Sequence, residues 1–66
     1  MNIIVNGNQT DIAEGSVIDD LIVLLELNVQ RLAVELNRRI IRRAEWDSTR
    51  LSEGDRVEIV HFVGGG

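Results

Sequence analysis

The sequence has no cysteine, no lysine, a single histidine and only two aromatic residues. Without cysteine there is no disulfide, no thiolate metal ligand, no thiol nucleophile and no side chain able to carry a persulfide. His61 stands alone, so neither a metal cluster nor a Cys/His catalytic pair can be assembled. These absences argue against catalysis by the chain alone. Only Trp46 and Phe62 could stack on bases, and a net charge of −4 with a pI of about 4.7 repels nucleic acid. No apolar run approaches the roughly 20 residues of a membrane-spanning helix. Met1 leads straight into Asn2-Ile3-Ile4-Val5, without the basic start of a signal peptide. The expectation is a soluble, cytoplasmic protein with no bound cofactor or metal, no nucleic-acid partner and no membrane partner.

What is present fits one small domain. The 66 residues are 44% hydrophobic, adequate for a core but close to the lower limit for one that stands alone. The most informative stretch is the last, Val57 to Gly66. Val57 to Val63 is β-branched and alternates with period two, as a strand does, and Gly64, Gly65 and Gly66 follow it. Glycine has no side chain to pack and the most backbone entropy to lose, so residues 64–66 read as a flexible tail on a domain of residues 1–63. Three residues extend at most about 10 Å. Lacking Cβ atoms, they can thread a narrow channel and present an α-carboxylate inside a partner. Glycine also has no stereocentre, so its carboxyl can be activated without racemisation.

Taken in order, Met1 to Val5 is a strand with Met1, Ile3 and Val5 on one face and Ile4 on the other. Asn6-Gly7-Asn8 is a hairpin turn, and Gln9 to Ala13 returns as a more polar strand that Glu14-Gly15 ends. Ser16, with Asp19 three residues on, reads as the N-cap of a helix over Val17 to Leu27 that Asn28 ends. Ile18, Leu21, Ile22 and Leu25 form its buried stripe, while Val23 and Leu27 point away. Leu32 to Leu36 alternates as a strand with Leu32, Val34 and Leu36 inward, Asn37-Arg38 turns, and Arg39 to Ile41 is a short return strand. Arg42 to Ser48 connects, with one helical turn around Trp46, and Glu53-Gly54-Asp55 turns the chain into the final strand. Two hairpins flanking one helix, with the terminal strands side by side, make an α+β fold. It is a ββαββ mixed sheet with the helix across one face, the β-grasp architecture.

These residues resemble the ThiS-type sulfur carrier proteins of the ThiS/MoaD family, in the ubiquitin-like β-grasp superfamily. The likeness spans essentially the whole chain. It runs through Met1 to Gly7, Glu14-Gly15-Ser16, Ala33 to Asn37, Arg43, Trp46 and Glu53-Gly54-Asp55, and closes with Val57 to Gly66. It departs at Arg38, where glycine is frequent, at Arg42, where proline is frequent, and at Val23 and Leu24, where charged residues are usual. The resemblance implies a carrier, not an enzyme. A partner adenylyltransferase similar to ubiquitin-activating enzymes would use ATP and magnesium to adenylate the carboxylate of Gly66. A persulfide donor, such as a cysteine desulfurase system, would then leave a thiocarboxylate, and thiazole synthase would take its sulfur for thiamine. Gly64 and Gly65 would be the thread. With no lysine, only the N-terminal amine could capture the chain's own activated carboxyl.

If Val57 and Ile59 face the helix, Val60 and Phe62 lie on the outer face with Ile4, and these three are the expected partner-binding residues. Arg38, Arg39, Arg42 and Arg43 form a basic hairpin, read either as a solvated face or as a dock for an acidic patch. Three functions stay open: the sulfur carrier, for thiazole or for another pathway such as molybdopterin or cysteine synthesis; a ubiquitin-like protein modifier; and a plain β-grasp binding module. The free chain is expected to be a monomer.

Overall fold

The computed structural model describes residues 1–62. The proposed boundary between residues 63 and 64 and the tail glycines Gly64, Gly65 and Gly66 lie outside the described residues. Five strands and one helix follow in the order β1 (Asn2–Val5), β2 (Asn8–Asp11), α1 (Ile18–Leu24), β3 (Leu32–Leu36), β4 (Arg39–Ile41) and β5 (Arg56–His61). A single 3-10 turn, Arg43–Glu45, sits in the connection before β5. The sheet order is β2-β1-β5-β3-β4, with β1 and β5 parallel and the other pairs antiparallel. The first and last strands are therefore neighbours at the centre, as the sequence predicts.

Both hairpins close on two-residue turns whose central residues all have positive φ, Asn6 (48°) and Gly7 (83°) in one, Asn37 (51°) and Arg38 (70°) in the other. That geometry matches the right-handed twist of the strands it joins, and Asn and Gly tolerate it best. Arg38 holds it despite its Cβ.

The helix differs from expectation at both ends. Its N-cap is Val17, and the carboxylate of Asp20, not Asp19, accepts the Val17 N–H at 2.8 Å. Ser16 is buried and donates its hydroxyl to the Ala13 carbonyl at 2.6 Å. The free N–H groups of the first turn go to the connection between β4 and β5. Ile18 donates to the Thr49 carbonyl and Asp19 to that of Trp46, both at 3.1 Å. A tertiary contact thus supplies what a capping side chain would otherwise supply.

At the other end the helix stops at Leu24, three residues before the expected Leu27. Glu26 turns left-handed at φ 53°, its N–H bonding to the Val23 carbonyl at 3.0 Å and that of Leu27 to Ile22 at 3.1 Å. This is a Schellman closure built on glutamate where glycine is usual. It swings Leu27 back onto the core, so Leu27 is half-buried and not exposed as its helical phase suggests. Asn28 has no part in ending the helix. The solvent-facing apolar pair is Val23 (75% exposed) and Leu24 (51%).

Replacing Glu26 with glycine is expected to raise stability by about 1 kcal/mol, since a left-handed residue with a Cβ carries strain of that order. A higher urea midpoint at unchanged slope would show it. No gain would mean that the glutamate side chain offsets the strain through a contact of its own.

Ile18, Leu21 and Ile22 are buried against Ile3, Val34 and Val57 of the sheet, with Trp46 and Leu51 closing the core from the connection. Leu25, the fourth member of the expected stripe, is only half-buried at the rim. Its truncation to alanine therefore falls toward the bottom of the ~2–5 kcal/mol that a fully buried leucine costs.

Candidate functional site: the central strand and its outer face

Strand β5 carries the chain toward the glycines, and the sheet holds it from both sides. Its inward residues Val57 and Ile59 are 0% and 6% exposed, which anchors the strand by burial alone. Its ladder to β3 runs from Leu36↔Val57 to Leu32↔His61, and Phe62 continues it by donating to the Arg31 carbonyl at 2.9 Å.

On the β1 side the ladder is short, covering only Ile4↔Arg56 and Val5↔Val57, because β1 then turns away. The Asn6 side chain takes over. Its Oδ1 accepts the Ile59 N–H at 2.8 Å and its Nδ2 donates to the Ile59 carbonyl at 3.1 Å. An amide side chain thus stands in for one more strand residue. Asn37 does similar work at the start of β5: its Oδ1 accepts the Arg56 N–H at 2.9 Å and its Nδ2 donates to Asp55 at 3.0 Å. The same two asparagines that permit the left-handed turns clip those turns to β5. The sequence alone marks these asparagines as turn residues and nothing more.

The outer face of the sheet carries the expected partner-binding residues, but not as one patch. Val60 (57% exposed) pairs with Ala33, and Phe62 (51%) follows two residues later. Ile4 is half-buried and lies beside Arg56, four residues back along β5. At ~3.3 Å per residue that is roughly 13 Å from Val60. Glu58 and Arg56 intervene on β5, and Glu35 faces Glu58 directly across the ladder. The structure therefore brings Val60 and Phe62 together and leaves Ile4 apart, because β1 reaches only the first half of β5. It adds Ile40, 76% exposed and opposite Glu35 on the same face, which the sequence reading left without a role. Its register against Glu35 was the available signal.

His61 ends β5 opposite Leu32. Among the described residues no three His, Cys, Asp or Glu side chains gather as a metal site, and no helix is long and apolar enough to cross a membrane.

The sequence model of the ThiS family matches residues 3–66, nearly the whole chain, glycines included. The chain belongs to the ThiS family. The sulfur carrier protein ThiS of Bacillus subtilis is 41% identical over 49 residues, 74% of each chain. A thiamine biosynthesis protein (ThiS) of Geobacter metallireducens, solved by crystallography, superimposes with a TM-score of 0.89 at 35% identity, covering 100% of both chains. The ThiS β-grasp fold is thus the fold of this chain. A thiazole synthase of Magnetococcus marinus is 33% identical over all 66 residues, and the chain spans 20% of that protein's length. A ThiS-like stretch is therefore one fifth of a longer chain there.

Proposed function

We propose that this chain is a sulfur carrier of thiamine biosynthesis and is not itself an enzyme. The observation that carries the reading is the family match, which runs through Gly64, Gly65 and Gly66 on a fold held to its last described residue. Phe62 is fixed by its bond to Arg31, and the four residues after it can reach at most about 14 Å. The sheet would hold the body of the carrier while the glycines enter a partner's active site.

A carboxylate is a poor electrophile. ATP, with magnesium, on an adenylyltransferase similar to ubiquitin-activating enzymes converts the Gly66 carboxylate to an acyl adenylate, releasing pyrophosphate. A persulfide sulfur attacks that carbonyl and AMP leaves. A thiol then cleaves the resulting acyl disulfide, leaving a thiocarboxylate on Gly66 and a disulfide on the donor. The chain has no thiol of its own, so the sulfur must come from outside and reside on its terminal carbonyl. Thiazole synthase is the proposed acceptor; a relative bearing that name contains a matching stretch. The protein would act in the cytoplasm, as a monomer when free.

Incubation with an activating enzyme, ATP, magnesium and a persulfide donor, followed by intact mass, tests the proposal. One sulfur in place of one oxygen is the expected product. An adduct to another protein's amine would make the chain a modifier instead, and an unchanged mass would refute the carrier reading.

Val60 and Phe62 flank the start of the tail and are the proposed contact with the activating enzyme, with Ile4 at the periphery. Phe62→Asp is expected to weaken that binding by roughly 2 kcal/mol or more, as loss of a central aromatic anchor does. Because Phe62 is half exposed, the melting temperature should hardly change. A large drop in melting temperature with full binding would mean that Phe62 packs into this protein and not onto a partner.

A further inference from the structure

The β4 edge lies two strands away from β5, at the end of the sheet. Four of the seven arginines fall at residues 38, 39, 42 and 43, in and beside this three-residue strand, and all four are exposed. The protein as a whole carries −4, yet more than half of its arginines lie at this one edge. Among the described residues the one ion pair joins the Met1 amine to Asp11, and no arginine lies within 4.0 Å of a carboxylate. These guanidiniums are thus free of direct ion pairs among the described residues.

The backbone of β4 adds a second feature. Leu36 and Arg39 flank a two-residue turn, so they form the hydrogen-bonded pair next to it, and Val34↔Ile41 is the next such pair. Ile40 lies between them, so its N–H and C=O point away from β3 to the open edge. Its side chain, 76% exposed, stands on the outer face. Arg39 and the half-buried Ile41 share the other face, where they line a groove with Leu36, Thr49 and one carboxylate, that of Glu45.

We propose that the β4 edge docks an acidic, extended segment of a partner protein, which adds to the sheet as a further strand. The segment exchanges both backbone hydrogen bonds with Ile40 and sets an apolar side chain beside that of Ile40. Its carboxylates lie along Arg38, Arg39, Arg42 and Arg43, where planar guanidiniums accept them in bidentate pairs. A second copy of the chain is not the occupant, since two β4 edges would bring arginine against arginine. The charge that repels like edges selects an acidic one. The proposal does not rest on the sulfur-carrier reading.

The probe is a capped pentapeptide with a central valine and two acidic residues on each side, titrated into the full-length chain at low salt with amide resonances recorded by NMR. The expected result is saturable binding with the largest shifts at Arg39, Ile40 and Ile41, weakening as salt rises. Methylating the central valine nitrogen should weaken it about three- to tenfold, the loss of one backbone hydrogen bond. Arg39→Glu with Arg42→Glu, both on exposed positions, should weaken it at least about tenfold without changing the melting temperature. A peptide with lysines in place of the acids should not bind. No saturation at millimolar peptide overturns the proposal, and so does equal affinity for the N-methylated or lysine peptide. Shifts that spare Ile40 do the same.

Discussion

A chain ending at Gly64 is expected to fold as the full chain does and to accept no sulfur at all. Every residue of the described core lies between Ile3 and Ile59, and every described strand ends by His61. Removing Gly65 and Gly66 therefore takes nothing from the described core. It shortens the reach beyond Phe62 from about 14 Å to about 7 Å and, on the proposed function, withdraws the carboxylate from the partner's active site. The loss should be of rate and not of docking, because Val60 and Phe62 are untouched. The measurement pairs a thermal melt with an adenylation assay, read as ATP–pyrophosphate exchange by the activating enzyme. An unchanged melt with exchange at background supports the proposed function. Undiminished exchange would mean that activation does not occur at Gly66.

Truncating Trp46 to alanine is expected to unfold most of the protein near body temperature. Trp46 is the largest buried side chain, 2% exposed, and it does three things at once. Its ring fills the core under the connection. Its Nε1 donates to the Ile41 carbonyl at 3.0 Å, tying the connection to β4. Its own carbonyl accepts the Asp19 N–H at 3.1 Å and so helps to cap the helix.

Loss of a buried tryptophan costs ~3–5 kcal/mol in transfer and cavity terms. A domain of this size holds roughly 3–10 kcal/mol in total. At 4–8 °C per kcal/mol, the melt should fall by more than about 12 °C. Circular dichroism can follow it without the lost fluorophore. Trp46→Phe separates the contributions, keeping most of the volume and removing only the second bond to the Ile41 carbonyl, which keeps its ladder bond to Val34, for about 0.5–1.5 kcal/mol. An alanine variant melting within a few degrees of the parent would show that the connection is not part of the cooperative core.

The elements most legible in the sequence were those with local causes. Asn6-Gly7 and Asn37 announce their hairpins because few residues accept positive φ, and both turns lie where the residues place them, the second with Arg38 in a conformation it does not favour. The alternation of Leu32 to Leu36 and of Val57 to Ile59 put the right side chains inward, because in a strand a side chain's face depends only on parity. The helix was less legible. Ser16 and Asp19 look like a local cap, but the connection after β4 brings the Trp46 and Thr49 carbonyls to the helix start, so the cap moves to Val17. Leu27 has the phase of an exposed residue, yet Glu26 reverses the chain before that phase applies.

The candidate site divides in the same way. Composition alone excluded a thiol of the chain's own, because that follows from which atoms are present, and the three closing glycines pointed to a terminal carboxylate only when joined to the length and strand order. Parity placed Val60 on the outer face. Pairing decided the rest. That Ile4 lies beside Arg56 and not beside Val60, and that the hairpin pair Ile40 and Glu35 continues to Glu58, depends on the register between strands distant in sequence. So does the closing of Asn6 on Ile59 across 53 residues. The sequence determined which face each strand side chain takes and that the chain has no thiol. Only the tertiary structure decided which side chains stand together, since register is a relation between strands and no single strand contains it.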